Sequence, residues 1–415
     1  MSETWESYKL GAVADVLMGQ SPDSSFYNNE ELGYPFLQGS AEFGFKFPTA
    51  IQFCSEPTRV AKSGSILISV RAPVGDVNRA DRSYCIGRGL AEIREKSVNI
   101  DFLYHAIQQR KAKLKQLSQG STFEAINSKD LKSLIIEIPE SKSVQKRIAA
   151  ILETTDNILE ETQALIQKYQ SMKQGLMHDL FSRGVLENGE LRPIYAEAPE
   201  LYEERKELGF IPREWEVIKL KELLERFNGS VQTGPFGSQL HAHEYVESGV
   251  PVIMPQDINA GKISQQKIAQ ISPERANDLK RHKVVLGDVI FSRRGDLSRC
   301  AAIEEKEVGW LCGTGCLLVR FHANFLLAQW LSYLYQFDYC QRQVIANAIG
   351  STMQNLNTQI LNNLVLIVPS SCEQQRIIDR ISSFEQQIQL EQDYLEKMRL
   401  LKQGLMQDLL TGRVF

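Results

Sequence analysis

The segment KQGLMQDLLTGRV at residues 402–414 has a near-copy, KQGLMHDLFSRGV, at residues 173–185, which indicates that the chain contains an internal repeat. Upstream, GSTFEAINSKDL at residues 120–131 is echoed by GSTMQNLNTQIL at residues 350–361. The offset between the two KQGLM copies is 229 residues, whereas solenoid repeats span about 20–50 residues. We therefore expect each half of the chain to be a domain with an attached segment.

The segments that are alike in the two halves are predicted to be long helices. In each of them, apolar or small residues recur at steps of three and four, which is typical of a coiled coil. Because the two helices match in length and register, we expect them to pack as an antiparallel intramolecular pair about a pseudo-two-fold axis. The alternative is that each helix packs separately on its own domain. The predicted seam consists of Ile148, Leu152, Thr155, Leu159, Thr162, Ile166, Tyr169, Met172 and Leu176, with Ile377, Ile381, Phe384, Ile388, Glu391, Leu395, Met398, Leu401 and Leu405.

The segments that differ between the two halves are predicted to be mixed α/β domains. Strand-like runs bounded by Gly and Pro alternate with helical stretches, and Trp5-Glu6 in the first half is matched by Trp215-Glu216 in the second. The predicted fold class is α+β, with two mixed α/β domains joined by the two long helices. The predicted boundaries are 1–141 for the first domain, 142–183 for the central helix, 184–210 for a linker, 211–371 for the second domain and 372–415 for the C-terminal helix.

Composition limits the classes of protein that the chain can represent. Its 47 Lys and Arg against 51 Asp and Glu give a net charge of −4, which disfavours a chain that binds DNA without help. The seven cysteines include no CxxC pair, which argues against a disulfide framework and a zinc module. The sequence starts without a basic and then apolar leader, and no stretch approaches the roughly 18–20 apolar residues of a membrane span. We expect a soluble, cytoplasmic protein.

Motifs of catalysis are missing from the sequence. It has no GxxxxGK[ST] phosphate loop, no GxGxxG after a strand, no GxSxG elbow and no NPPY-like segment of an amino-methyltransferase. His241-Ala-His243-Glu244 lacks both the helical i, i+4 spacing and a nearby third ligand, so we interpret it as a polar loop and predict no metal site. We expect a chain that is not an enzyme and that binds no cofactor itself.

Arginines follow strand-like runs at similar places in the two halves. Arginine suits both phosphate and the O6/N7 edge of guanine, and glutamine suits adenine. We interpret Gln38 and Gln256 as occupying similar places in the two domains. The alternative is that the arginines form surface salt bridges with Asp76, Asp81 and Asp296. The candidate DNA contacts are Gln38, Arg71, Arg79, Arg82 and Arg88 in the first domain, and Gln256, Arg293, Arg294 and Arg299 in the second.

Taken together, several segments resemble the specificity subunit of type I restriction-modification systems over essentially the whole chain. They are YPFLQGS at 34–40, the SVRAPVGD core within 64–76, CIGRGL at 85–90, QGSTFEAI at 119–126 and the helix ending KQGLMQDLLTGR at 402–413. The two-copy plan of the chain is part of the same resemblance.

The resemblance implies two target recognition domains, each reading one half of an interrupted, asymmetric DNA site. It also implies that the long helices set the distance between the half-sites and dock two modification subunits. That partner carries S-adenosylmethionine and flips and methylates an adenine, and a restriction subunit adds nuclease activity and translocation with ATP and Mg. The seam residues assigned to these docking helices are Ile148, Leu152, Leu159, Ile166, Ile377, Ile381, Ile388 and Leu395.

The chain departs from the family pattern where the central helix starts. Many members have Glu-Gln before the spacer helix; this chain has Glu373-Gln374 in the second copy but Val144-Gln145 in the first. A rival interpretation is a non-catalytic coiled-coil scaffold without DNA specificity, which predicts no salt-dependent affinity for DNA. The target sequence and the length of its unspecified spacer do not follow from the residues.

Overall fold

The computed structural model describes residues 4–118, 124–205, 208–259, 261–322, 325–348 and 355–413. The chain divides into two compact units. The first unit comprises residues 1–167 and 389–415, and the second comprises residues 168–388. The division runs through both long helices, so each unit contains one mixed α/β region together with part of each long helix.

The elements of the two repeats follow one another along the chain. The first repeat contains β1 (Trp5–Lys9), α1 (Leu10–Val13), β2 (Ala14–Met18), β3 (Tyr27–Asn28), β4 (Tyr34–Leu37), β5 (Gln52–Cys54), β6 (Val60–Ala61), β7 (Ile66–Ser69), β8 (Val77–Arg79), β9 (Tyr84–Ile86), β10 (Leu90–Glu95), α2 (Ile100–Gln109), α3 (Lys111–Ser118), α4 (Ser128–Lys132), β11 (Ile135–Pro139) and α5 (Lys142–Arg183). The remainder contains β12 (Tyr202–Arg205), β13 (Gly209–Pro212), β14 (Glu216–Lys219), α6 (Leu220–Arg226), β15 (Ser230–Thr233), β16 (Tyr245–Val246), β17 (Val250–Ile253), β18 (Ile258–Asn259), β19 (Lys262–Ile263), β20 (Ala269–Ile271), α7 (Pro273–Asp278), β21 (Asp288–Ser292), β22 (Cys300–Ala302), β23 (Leu311–Cys312), β24 (Cys316–Arg320), α8 (Phe325–Tyr335), α9 (Asp338–Ala348), α10 (Thr358–Asn362), β25 (Val365–Val368) and α11 (Ser371–Leu409). Short 3₁₀ turns cover Ser24–Phe26, Ser40–Glu42, Pro199–Leu201, Ala242–Glu244, Pro255–Asp257, Lys280–His282 and Glu305–Glu307.

The sheet topology of the first repeat recurs in the second. The four-stranded sheet β2-β10-β7-β8 has its counterpart in β15-β24-β21-β22, and the pair β1-β11 has its counterpart in β14-β25. A further sheet, β3-β5-β4-β9-β6, is matched by β16-β20-β17-β23. In both of these sheets one pairing is parallel, β4 with β9 and β17 with β23. The sequence repeat is therefore a repeat of fold, even where the sequences differ.

Side-chain patterns explain the central strands and the matching helix starts. All four residues of β7 are buried; Ile66 and Ile68 enter one apolar cluster and Leu67 enters another, so the sheet is covered on both faces. The side chain of Asn127 accepts a hydrogen bond from Asp130 N at the start of α4, and that of Asn357 accepts one from Ile360 N at the start of α10. The Asn shared by the two GST segments is thus an N-cap in both repeats.

Each unit has its own apolar core, to which both long helices contribute. In the first unit, Ile148 and Leu152 of α5 lie in one cluster with Leu409 of α11. In the second unit, Phe181 near the end of α5 lies in one cluster with Ile377 near the start of α11. The start of each helix thus packs with the end of the other, which is the antiparallel pairing that the sequence predicts.

Two positions of the predicted seam are wrong. Met172 and Leu401 are 45% and 49% exposed, and the adjacent lysines turn inward instead. Lys173 Nζ lies 2.5 Å from Glu385 Oε1 in the second unit, and Lys402 Nζ lies 2.5 Å from Asp156 Oδ1 in the first. The seam shifts by one residue because each lysine, which periodicity alone places on the surface, turns inward to pair with a carboxylate.

The stretch predicted as a linker is packed and partly regular. Strand β12 pairs with β13 in an antiparallel hairpin, from Tyr202 opposite Pro212 to Arg205 opposite Gly209. Arg192, only 4% exposed, forms an ion pair with Glu373 at the start of α11. Among the helices that the structure describes, none is long and apolar enough to cross a membrane.

Candidate nucleic-acid interface

Four chain segments of the first repeat meet where its strands end. Gly87 N donates to Leu37 O at 2.8 Å, Val70 N donates to Gly89 O at 2.9 Å, and Gly19 N donates to Leu90 O at 2.9 Å. These hydrogen bonds join the ends of β2, β4 and β7 to the turn between β9 and β10. We call residues 19–21, 38–39, 70–71 and 87–89 the first strand-end surface.

Glycines allow the segments to approach this closely. A Cβ on Gly19 would lie 2.2 Å from the carbonyl oxygen of Gly87, and a Cβ on Gly89 would lie 2.4 Å from that of Gln38. Both distances are far below van der Waals contact with backbone atoms that cannot move aside. The glycines of the CIGRGL segment therefore hold Arg88 at the tip of a turn that is fastened to neighbouring strand ends.

Three exposed side chains, Gln38, Arg71 and Arg88, project from the first strand-end surface. Ser21 Oγ accepts hydrogen bonds from Gln38 Nε2 and from Arg88 N, each at 3.2 Å. Arg71 forms a backbone bridge with Ala125. Within the described residues, neither the Arg71 guanidinium nor the Arg88 guanidinium forms an ion pair, so both are available to an anionic ligand.

The second repeat has the same frame with different side chains. Gly313 N donates to Ile253 O at 2.9 Å, Arg293 N donates to Gly315 O at 2.8 Å, and Gly234 N donates to Cys316 O at 3.0 Å. We call residues 234, 254, 293–294 and 313–315 the second strand-end surface. The matched hydrogen bonds show which of its residues corresponds to which residue of the first surface. Met254 stands for Gln38, Arg293 for Val70, Arg294 for Arg71 and Thr314 for Arg88.

The interpretation of Gln256 as the counterpart of Gln38 is therefore wrong. Counting from the equivalent strand residues Pro35 and Pro251 leads from Gln38 to Met254. Gln256 lies two residues further on, in a 3₁₀ turn whose Asp257 carboxylate accepts a hydrogen bond from Met254 N at 2.8 Å. It is exposed, but outside the frame that the two repeats share.

Arg79 and Arg299 are engaged in contacts within their own units. Arg79 is paired with Asp101 Oδ1 at 2.7 Å and with Glu153 Oε2 at 2.9 Å, and its guanidinium lies over the Tyr104 ring. Arg299 Nε lies 3.1 Å from Asp296 Oδ2, the salt bridge that the alternative interpretation expects. Both guanidinium groups are therefore already paired with carboxylates.

Arg82 is largely exposed, at 62%, and lies 4.0 Å from Asp81 Oδ2. It stands on the loop between β8 and β9, away from the strand-end surface. The GSTF segment at 120–123 and the GSTM segment at 350–353 lie outside the described residues.

The eight apolar residues assigned to the docking helices are all buried, with at most 9% exposure. Ile148 and Leu152 belong to the apolar core of the first unit, and Ile377 and Ile381 to that of the second. The exposed faces of the two helices therefore carry other residues. The large apolar side chains exposed on those faces are Met172 of α5 and Leu390, Tyr394, Leu400 and Leu401 of α11. Periodicity identifies the buried seam and misses these residues, because single exposed apolar residues are common on helices.

The His241–Glu244 loop serves local structure. Glu244 Oε2 accepts a hydrogen bond from His241 N at 2.6 Å, which lowers the pKa of the Glu244 carboxyl, and Glu244 also pairs with Arg275 at 2.6 Å. In the part of the chain that the structure describes, no group of three or more His, Cys, Asp and Glu is arranged to hold a metal ion.

Comparison with known proteins identifies the family. Residues 2–168 and 212–399 both match the family model described as "Type I restriction modification DNA specificity domain". A putative type I restriction enzyme MjaX specificity subunit of Methanocaldococcus jannaschii is 41% identical over 187 residues, which is 43% of each protein. The MjaVIII specificity subunit of the same organism is 22% identical over 99% of this chain and 93% of its own length.

A solved structure has the same fold over nearly its whole length. The type I restriction-modification S subunit from M. genitalium superposes with a TM-score of 0.63 at 17% identity, covering 98% of this chain and 96% of that one. Because the family model matches both repeats, the chain belongs to the family of type I restriction-modification DNA specificity subunits.

Proposed function

We propose that this chain reads DNA sequence for a type I restriction-modification assembly, with each repeat reading one half of an interrupted, asymmetric site. The observation that carries the proposal is the pair of strand-end surfaces, which share one backbone frame and differ in side chains. A shared frame suits two half-sites of the same duplex geometry, and different side chains suit two different base sequences. In this proposal residues 1–141 and 211–371 are the recognition domains, 142–183 and 372–415 are spacer helices, and 184–210 connects the repeats.

The net charge of −4 requires partners that supply phosphate contacts. We assign most of these contacts, together with S-adenosylmethionine and adenine methylation, to a modification subunit. Nuclease activity and translocation with ATP and Mg belong to a restriction subunit. The chain itself contributes recognition without catalysis, in the cytoplasm, where the assembly meets the host DNA.

Two mid-helix glycines support docking of two identical partners. Gly175 of α5 and Gly404 of α11 are exposed, and a Cβ at either position would meet nothing within 4 Å. A glycine inside a helix costs about 1 kcal/mol relative to alanine, and no contact among the residues that the structure describes explains that cost. Close approach of a partner backbone explains it at both places, beside the exposed Met172 and Leu401.

The purified assembly tests both parts of the proposal. From the mass of the assembly, we expect two methyltransferase copies per chain. Gly175→Leu and Gly404→Leu should each remove one copy, because leucine favours the helix but blocks the close approach of a partner backbone. Gln163→Leu, at another exposed position of α5, is the matched control. From a random pool of duplexes, the assembly should select one interrupted motif with salt-dependent affinity. A stoichiometry of one methyltransferase per chain would contradict paired docking. Selection of no motif would support the scaffold interpretation.

A further inference from the structure

We infer that two matched positions of the strand-end surfaces determine which bases each repeat reads, an inference that rests on the proposed function. The positions are those of Gln38 and Arg88 in the first repeat, and of Met254 and Thr314 in the second. At a third matched position the two repeats carry the same residue type, Arg71 and Arg294.

The first repeat presents polar groups that match purines. A glutamine amide pairs in two places with the N6/N7 edge of adenine, and an arginine does so with the O6/N7 edge of guanine. Gln38 and Arg88 are neighbours, because a Cβ on Gly87 would lie 2.9 Å from Gln38 Oε1. The first repeat is thus assigned one adenine contact and one guanine contact.

Ser21 is a positioning residue in this arrangement. Its Oγ accepts from Gln38 Nε2 and from Arg88 N, each at 3.2 Å, and so joins the amide to the turn that carries the arginine. Ser21 Oγ also lies 3.5 Å from Gln38 Oε1, to which it can donate, so Gln38 keeps its second N–H hydrogen and one lone pair of its amide oxygen for a base. Ser21 therefore sets which way the amide faces.

The second repeat presents a different chemistry on the same frame. Met254 in place of Gln38 replaces hydrogen bonding with an apolar contact, which suits the methyl group of thymine. Arg293 stands in place of Val70, a core residue that is only 2% exposed. Within the described residues, Arg293 Nε and Thr314 Oγ1 are buried without a hydrogen-bond partner.

Those two unpaired atoms are a second observation that points to a ligand. Buried polar groups without partners are uncommon in native proteins and cost about 1–3 kcal/mol each. Both belong to residues of the second strand-end surface, and because the atoms are enclosed, a water molecule or a rearrangement of these side chains on DNA binding has to supply their partners. Arg71 and Arg294, shared by the repeats and exposed, suit the phosphate backbone, which is the same at every sequence.

Exchange of side chains between the repeats tests the inference. Modified-base sequencing is applied to host DNA methylated by the assembly that contains the variant Gln38→Met with Arg88→Thr. We expect discrimination to fall about 5- to 150-fold at each of two positions in one half of the motif, with the other half unchanged. The reciprocal variant, Met254→Gln with Thr314→Arg, should alter only the other half. Lys96→Thr, an exposed cation at the far end of β10, is the control.

Ser21 has its own readout. Ser21→Ala should relax the preference assigned to Gln38 and leave that of Arg88 in place, and Ser21→Thr, which keeps the hydroxyl, should restore it. An unchanged motif in the exchange variants, or equal change in both halves, would overturn the inference while leaving the proposed function intact. Absence of any motif with the wild-type chain would instead overturn the proposed function.

Discussion

Replacement of Glu373 by alanine is expected to lower the free energy of unfolding of the second unit by about 3–5 kcal/mol. The Glu373 carboxylate is buried and pairs with both terminal nitrogens of Arg192, at 3.0 Å for Nη2. It also accepts from Trp215 Nε1 at 3.1 Å and from Val185 N at 2.9 Å. The alanine variant leaves the buried Arg192 charge without this counter-ion. Calorimetric or denaturant unfolding of the full chain measures the loss.

Glu214→Ala is the matched control. Glu214 also pairs with Arg192, at 2.8 Å, but its side chain is 78% exposed, so we expect a loss below about 1 kcal/mol. The double variant Arg192→Met with Glu373→Leu should recover much of the lost stability, because it removes both charges together. Equal losses of unfolding free energy for Glu373→Ala and Glu214→Ala would show that the buried pair stabilises the unit no more than the exposed one.

The first repeat has no counterpart of the Arg192–Glu373 pair at the equivalent helix start. Trp5 and Trp215 are equivalent, since Trp5 pairs with Pro139 and Glu216 with Val368, one residue before Pro369. The residue 229 positions before Glu373 is Val144, and within the described residues the Trp5 indole nitrogen has no hydrogen-bond partner. The departure of the first copy from the Glu-Gln pattern thus removes a buried acceptor, which makes the start of α11 more polar inside than that of α5.

Combined replacement of Arg71 and Arg294 by alanine is expected to weaken DNA binding by about 1.5–3 kcal/mol per arginine, the range for hydrogen bonds to charged groups. Both are exposed at the same position of the shared frame, so we assign them to phosphates. The loss should be similar for cognate and altered duplexes, and the slope of log affinity against log salt should fall by about 0.9 per lost contact. Equilibrium binding of the assembly at several salt concentrations measures both quantities.

Lys96→Ala, at the far end of β10, controls for loss of one positive charge. If Arg71→Ala instead removes the preference for one base and leaves the salt slope unchanged, Arg71 reads a base directly. Unchanged affinity of the double variant would show that Arg71 and Arg294 do not contact DNA.

Much of the fold could be predicted because the chain repeats itself. The long helices are visible in their three-four pattern, and the first runs from Lys142 to Arg183. The shared Asn127 and Asn357 recur because each caps a helix. Such features depend on local spacing, which sequence records directly.

Features that depend on contacts distant in sequence could not be predicted. Lys173 and Lys402 take inward places because an acid on the other helix faces each of them. Arg192 appears in a polar stretch that resembles a linker, yet it is buried against Glu373, 181 residues later. No periodicity within either segment carries that information.

The candidate site was predicted in part. Arg71, Arg88 and Arg294 come from the strand-then-arginine pattern, and Gln38 comes from its place after a strand-like run. The structure brings these residues onto two matched surfaces, and their contact with DNA stays a prediction. Met254 and Thr314 were missed, because an apolar residue and a small hydroxyl carry no signal of DNA binding by themselves. They become candidates only when β4 is matched with β17 and β9 with β23.

Modified-base sequencing of a host genome, with and without this gene and its methyltransferase partner, is the decisive test of reading by two different repeats. Without the gene, methyladenine should disappear from one interrupted motif whose two halves differ in sequence, and restoring the gene should restore it. Loss of a continuous or symmetric motif would contradict reading by two different repeats. If no motif changes while the methyltransferase is present and active, the chain does not direct methylation and the scaffold interpretation holds.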